Sequence, residues 1–144
     1  MRDATDLLSR YAETHRDQRN IASHVVGMPL MVFALGLLLA RPVFGLGAVA
    51  LSPAWVLLAL AAGWYLAHAG LVLGVTVSAG IGALLLLGEP LARSGVAPTL
   101  LWGIGLLALG WGIQTVGHWY EGKRAAFIDD LAGLLIGPMF VAAE

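Results

Sequence analysis

Four long apolar stretches with almost no charged side chains limit the folds open to this chain. They cover residues 21–40, 53–68, 71–87 and 99–116. Only 12% of the 144 residues are charged, against roughly 25% in an ordinary soluble domain. Apolar segments of this kind cross membranes as helices, because a helix satisfies its own backbone hydrogen bonds. We therefore predict one all-α domain over residues 1–144, a polytopic membrane bundle of about four transmembrane helices.

The segment before the first apolar stretch has the pattern of a short amphipathic helix. Over residues 4–15, Tyr11 and His15 fall on the same apolar face at helical spacing. On a single straight helix His15 and His24 would point in opposite directions, since each residue turns the helix by about 100°. The two histidines can share a site only if the chain turns near residues 17–20.

Two further segments are apolar but are not predicted to be membrane spans. Residues 43–52 are short and glycine-rich, and we predict a loop or a broken helix there. Residues 127–143 contain Gly137 and Pro138, which break a regular helix. We predict an interfacial or re-entrant helix for this C-terminal segment.

Four crossings would place all four histidines, His15, His24, His68 and His118, at one membrane face. Basic residues are concentrated at the same face, which the positive-inside rule makes cytoplasmic. The short loops and compact size favour a bacterial inner membrane, with the endoplasmic reticulum as the alternative. The basic residues at the histidine face are Arg2, Arg10, Arg16, Arg19, Lys123 and Arg124, and those at the other face are Arg41 and Arg93.

The end of the fourth apolar stretch carries a row of polar groups. Gln114, His118 and Glu121 follow one another at helical spacing, so an amide, an imidazole and a carboxylate share one face. Such a face is costly beside lipid and therefore indicates a function. The chain has no cysteine, so a metal here would be held by nitrogen and oxygen, which suits iron, zinc or manganese.

Several function classes are disfavoured by what the sequence lacks. It contains no His-x-x-His-His cluster, His-Glu-x-x-His motif, Gly-x-Ser-x-Gly elbow or P-loop. A net charge of -1 argues against a nucleic-acid surface, because phosphate binding needs clustered basic residues. Membrane desaturases, zinc proteases, serine hydrolases and nucleotide enzymes therefore fit poorly.

Two blocks of residues near the two ends of the chain form recognisable motifs. The first is Tyr-x3-His-x4-Asn-x3-His-x2-Gly-x-Pro, from Tyr11 to Pro29, and the second runs from Gln114 through Gly117, His118 and Glu121 to Asp129, Pro138, Phe140 and Glu144. Together the two blocks resemble the Mpo1-like family of 2-hydroxy fatty acid dioxygenases. The resemblance implies an Fe(II)-dependent non-haem oxygenase. Such an enzyme uses O2 to shorten a 2-hydroxy fatty acid by one carbon within a lipid membrane.

Carried onto this chain, the resemblance implies a set of site residues. His15, His24 and His118 would hold the iron, and Glu121 would be a fourth ligand or an acceptor that orients a histidine. His68 lies outside the two blocks and is a further candidate ligand. Supporting or substrate-binding roles fall to Tyr11, Asn20, Gln114, Arg16, Arg19, Lys123 and Arg124.

Two other functions fit the same residues. One is a non-enzymatic transporter component or scaffold whose histidines sense pH. The other is a zinc-dependent lipid hydrolase, in which metal-bound water attacks an ester or amide. The identity of the metal and a requirement for O2 would distinguish these three functions. The sequence is compatible with both a monomer and a homo-oligomer.

Overall fold

The computed structural model describes residues 4–13, 15–46, 49–122 and 133–144, and this part of the chain is mostly helical. Three of its helices, α2, α3 and α4, are long and apolar enough to cross a membrane. The predicted all-α class is confirmed. The elements in order are α1 (Ala4–Ala12), α2 (Gln18–Leu38), β1 (Phe44–Leu46), β2 (Val49–Leu51), α3 (Pro53–Arg93), α4 (Val96–Glu121) and α5 (Gly133–Ala143).

Helix α3 is two antiparallel arms joined at Gly70, in the break between the second and third apolar stretches of the sequence. Gly70 has φ 73° and ψ 176°, a conformation that interrupts the helix and that glycine tolerates. Trp55 Nε1 donates to Glu89 Oε1 at 3.3 Å, although a straight helix would separate these residues by roughly 50 Å. Residues 53–69 and 71–93 therefore pack side by side.

Helices α2 and α4 are antiparallel and meet along a seam of glycines. A Cβ atom at Gly27 would lie 2.9 Å from the carbonyl oxygen of Gly110, and a Cβ at Gly110 would lie 2.9 Å from that of Gly27. Gly103 and Gly117, one heptad either side of Gly110, also lie against α2. Small residues let helix backbones approach closely. The seam places the first turns of α2 beside the last turns of α4.

Over its described residues, helix α5 is shorter than a membrane crossing requires, and it packs inside the bundle. Its 11 residues extend about 16 Å, roughly half of a hydrocarbon core. Tyr65 of α3 donates through its hydroxyl to the carbonyl oxygen of Leu135 at 3.0 Å. Met139 and Phe140 are buried in one cluster with Tyr11 and Tyr65. The remaining part of the predicted segment, residues 127–132, lies outside the described residues.

A small β-hairpin connects α2 to α3. Strands β1 and β2 are antiparallel, with Phe44 opposite Leu51 and Gly45 opposite Ala50. The predicted loop or broken helix over residues 43–52 is therefore wrong. Large residues alternate with small ones in Phe-Gly-Leu and Val-Ala-Leu, and this period of two favours strands over helix.

Candidate metal centre

A turn between α1 and α2 brings His15 back towards the bundle. Helix α1 ends at Ala12, so the predicted helix over residues 4–15 is three residues too long. The carbonyl oxygen of Tyr11, which a continuing helix would pair with the backbone N–H of His15, instead accepts from His15 Nδ1 at 2.7 Å. Asp17 then begins α2 by accepting from the backbone N–H of Arg19 at 2.8 Å.

His15, His24 and His118 converge in the interior although they belong to three different segments. Each ring is at most 6% exposed. One nitrogen from each residue can be chosen so that all three lie within 4.8 Å of one another. His15 Nε2 and His24 Nε2 are only 3.1 Å apart. This arrangement has the dimensions of a three-imidazole metal site.

Hydrogen bonds from the other ring nitrogens fix how two of these histidines face the centre. His15 Nδ1 donates to the Tyr11 carbonyl, and His24 Nδ1 donates to the Asn20 carbonyl at 3.0 Å. A carbonyl oxygen can only accept, so each Nδ1 carries the proton and each Nε2 presents a lone pair. Two lone pairs at 3.1 Å repel each other unless a proton or a metal ion lies between them. Metal-binding histidines are commonly held in this way through their second nitrogen.

The third histidine, His118, also has a ring nitrogen that is suited to binding a metal ion. His118 Nδ1 is buried and makes no hydrogen bond to any residue that the structure describes. Buried polar atoms are rarely left without a partner, because desolvation is then uncompensated. Three imidazoles without thiolates suit iron, zinc, copper or nickel.

Aromatic side chains pack against His15, which is buried. Its ring stacks on Tyr11 at 4.0 Å between centroids, and Phe140 lies 5.4 Å away. Burial lowers the pKa of His15 to about 4, with further lowering from the nearby His24 and His118. His15 is therefore neutral at neutral pH, which is the form that binds metals. Burial also raises the pKa of Tyr11, so its phenol stays protonated.

The carboxylate of Glu121 binds the backbone of the turn that carries His15. It accepts from the backbone N–H of Arg16 at 3.0 Å and from that of Asp17 at 2.8 Å. Asn20 Nδ2, which is fully buried, donates to the same carboxylate at 3.3 Å. Glu121 is not a member of the three-histidine group. It lies beside the site, where its carboxylate holds the turn in place through these backbone hydrogen bonds; we call this arrangement a clamp.

Two other candidate residues lie away from the histidine group. Gln114 is buried in the α2–α4 seam, where its Nε2 donates to the sulfur of Met31 at 3.2 Å. His68 donates through Nδ1 to the carbonyl of Trp64 at 2.9 Å and stacks on the Trp64 ring. The structure therefore brings together three of the four histidines.

Of the four basic residues that are candidates for binding the substrate, two lie in the described part of the chain and two do not. The Arg16 side chain is exposed, while its backbone N–H is used by Glu121. The guanidinium of Arg19 lies over the ring of Tyr120, 4.9 Å from the centroid. Lys123 and Arg124 lie outside the described residues.

The glycine seam is the part of the site that we did not predict. Gly117 sits against Ser23 and Asn20, so its neighbour His118 is drawn next to His24. The signal was present in the sequence, because Gly103, Gly110 and Gly117 recur at a spacing of seven. Such a repeat marks one face of a helix.

Comparison with known protein families gives one result for the whole chain. Residues 1–144 match the family described as 2-hydroxy-palmitic acid dioxygenase Mpo1-like. Neither the curated proteins nor the solved structures gave a significant match.

Proposed function

This chain belongs to the Mpo1-like family, and we propose that it is an Fe(II)-dependent dioxygenase that shortens 2-hydroxy fatty acids by one carbon with O2. The observation that carries the proposal is the buried group of His15, His24 and His118, two of whose Nε2 lone pairs face each other at 3.1 Å. The family description supports a dioxygenase of this substrate class. The all-nitrogen donor set supports a metal that binds imidazole.

The side chains around the site have separable roles in this reaction. Iron held by His15, His24 and His118 would supply the redox chemistry that a reaction with O2 requires. The carbonyls of Tyr11 and Asn20 hold two ligand rings in orientation through their Nδ1–H groups. Tyr11 and Phe140 cover His15 and exclude water. Arg16 and Arg19 at the edge attract the substrate carboxylate.

We propose four membrane crossings, with the histidine site at the cytoplasmic face. The crossings are α2, the two arms of α3, and α4. The arms are about 25 and 34 Å long, close to a hydrocarbon core of about 30 Å. The excess of basic residues at the histidine end supports the orientation.

Cysteine labelling tests this topology, because the chain has no cysteine of its own. We expect Arg10→Cys to react with a membrane-impermeant maleimide only when the cytoplasmic face is open. Arg41→Cys should react only from the opposite face. Labelling of both positions from the same side would overturn the four-crossing arrangement.

Replacing Glu121 tests whether its carboxylate supports the turn as a clamp or binds the metal directly as a ligand. Glu121→Ala removes the acceptor of two backbone N–H groups, and we expect metal affinity to fall roughly 10–100-fold, as when a supporting group is lost. Glu121→Gln keeps one acceptor oxygen and should retain most of the affinity. A Co(II) titration followed by visible absorbance measures both variants.

A matching set of spectra decides the role of Glu121. If Glu121 is a clamp, Co(II) bound to Glu121→Gln has the wild-type spectrum, since the nitrogen ligands are unchanged. A changed spectrum together with an affinity as low as that of the alanine variant would identify Glu121 as a ligand. Wild-type affinity in Glu121→Ala would remove it from the site altogether.

Anaerobic purification followed by ferrous reconstitution tests the proposed function. We expect iron near stoichiometry, O2 uptake with 2-hydroxypalmitate, and a product one carbon shorter. Palmitate, which lacks the 2-hydroxyl, is the matched control and should not react. Bound zinc with O2-independent hydrolysis would favour the lipid hydrolase, and no bound metal would favour the transporter or scaffold.

A further inference from the structure

We propose that an apolar groove on the outer face of α2 and α4 binds the acyl chain of the substrate, with the substrate carboxylate at Arg19. The groove has a volume of about 690 Å³ and opens outward from the bundle. This inference rests on the proposed function and adds to it the location of the acyl chain. It also predicts which chain lengths fit.

The walls of the groove suit a hydrocarbon chain along most of their length. Val26 of α2 and Leu109 and Val116 of α4 line it, and each of these side chains is about half exposed. Gly112 forms part of the floor, and a Cβ atom there would meet no atom of the described residues within 4 Å. An extended chain can therefore lie against the α4 backbone without displacing a side chain.

One end of the groove is polar and adjoins the histidine group. Arg19 and Tyr120 line this end, and the Arg19 guanidinium lies over the Tyr120 ring. Among the described residues that line the groove, Arg19 alone is charged, and its positive charge complements a carboxylate. Ser23 lines the same end, and its hydroxyl is 3.3 Å from His24 Nδ1. Gly117, next to His118 in sequence, also lines it.

The length of the groove sets an expected chain length. Its α4 wall extends from Ala108 to Tyr120, which is about 18 Å along a helix. An extended hydrocarbon advances about 1.25 Å per carbon, from bonds of about 1.5 Å at tetrahedral angles. The groove therefore accommodates about 14 carbons beyond the carboxyl end.

Gly112→Leu and Gly105→Leu form a matched pair for testing the groove. Both glycines are exposed on α4 with open space at the Cβ position, but only Gly112 lines the groove. Leucine at 112 would displace the distal part of a long chain. We expect the ratio of kcat/KM for 16-carbon over 10-carbon 2-hydroxy acids to fall about tenfold, as expected for the loss of about two buried methylenes.

Gly105→Leu should keep the wild-type ratio, because it alters the lipid-facing surface outside the groove. If this ratio changes equally in both variants, or in neither, the groove does not bind the acyl chain of the substrate and is only a contact for membrane lipid. Wild-type protein that turns over no 2-hydroxy acid would instead overturn the proposed function.

A binding measurement keeps the two proposals distinguishable. A 2-hydroxy fatty acid with a photoreactive group near its methyl end should crosslink to residues 108–112, and Gly112→Leu should reduce that yield. The crosslink needs no turnover, so it reports on the groove even if the enzyme is inactive. Crosslinks that map to the arms of α3 instead would place the chain elsewhere.

Discussion

Replacing His118 with alanine is expected to abolish tight metal binding and activity while leaving the helices intact. His118 supplies one of three imidazoles whose nitrogens lie within 4.8 Å. Loss of a group that merely supports a ligand costs roughly 10–100-fold in metal affinity, so loss of a ligand should cost more than about 100-fold. Metal titration in detergent measures the affinity, and far-ultraviolet circular dichroism verifies the helix content.

His68→Ala is the matched control, since its ring stacks on Trp64 outside the three-histidine group. It should bind metal and turn over substrate within about twofold of wild type, a difference too small for the loss of a ligand. Full activity in His118→Ala would remove the proposed centre from the mechanism. Loss of metal from His68→Ala would show that the site is larger than three histidines.

The second large effect is expected from Gly110→Ala, a change of one methyl group at the α2–α4 crossing. The added Cβ would lie 2.9 Å from the carbonyl oxygen of Gly27 and 2.7 Å from Met31 Cγ. The backbone oxygen cannot move aside, so the helices must separate. Overpacking of this kind typically costs about 1–3 kcal/mol. Thermal unfolding in detergent measures the loss.

Metal affinity should fall in the same variant, because His24 and His118 lie on the two helices that separate. Gly105→Ala is the control on the same helix, where the Cβ meets open space. It should be neutral or stabilising by up to about 1 kcal/mol from helix propensity. If Gly110→Ala matches Gly105→Ala in both measurements, the seam does not hold the site together.

The helical fold could be predicted because hydropathy and helical spacing are local properties of a sequence. The four apolar stretches follow directly from them, and the break between the second and third stretches falls at Gly70. The β-hairpin was not predicted because the segment 43–52 is short and apolar. With almost no polar residues to mark a period of two, the alternation of large and small residues was hard to recognise. Helix α1 was predicted too long because its end depends on a side chain, His15, that takes the carbonyl of Tyr11.

The site could be predicted only in part, for a related reason. Histidines 15, 24 and 118 stand out in an apolar chain, because an imidazole is unusual there. The hydrogen bonds of Glu121 join groups more than 100 residues apart in sequence. Helical spacing around His118 could suggest a ligand, but it carries no information about two backbone amides at the other end of the chain.

The separation of the three histidines along the chain gives a bound metal a mechanical role. His24 and His118 belong to the first and last long helices, so a shared ion ties the N-terminal half of the chain to the C-terminal half. An ion that binds only the folded bundle stabilises it by about 2.7 kcal/mol at a concentration 100 times its dissociation constant. The supply of metal in the cell would then affect the stability of the folded bundle as well as the rate of its reaction.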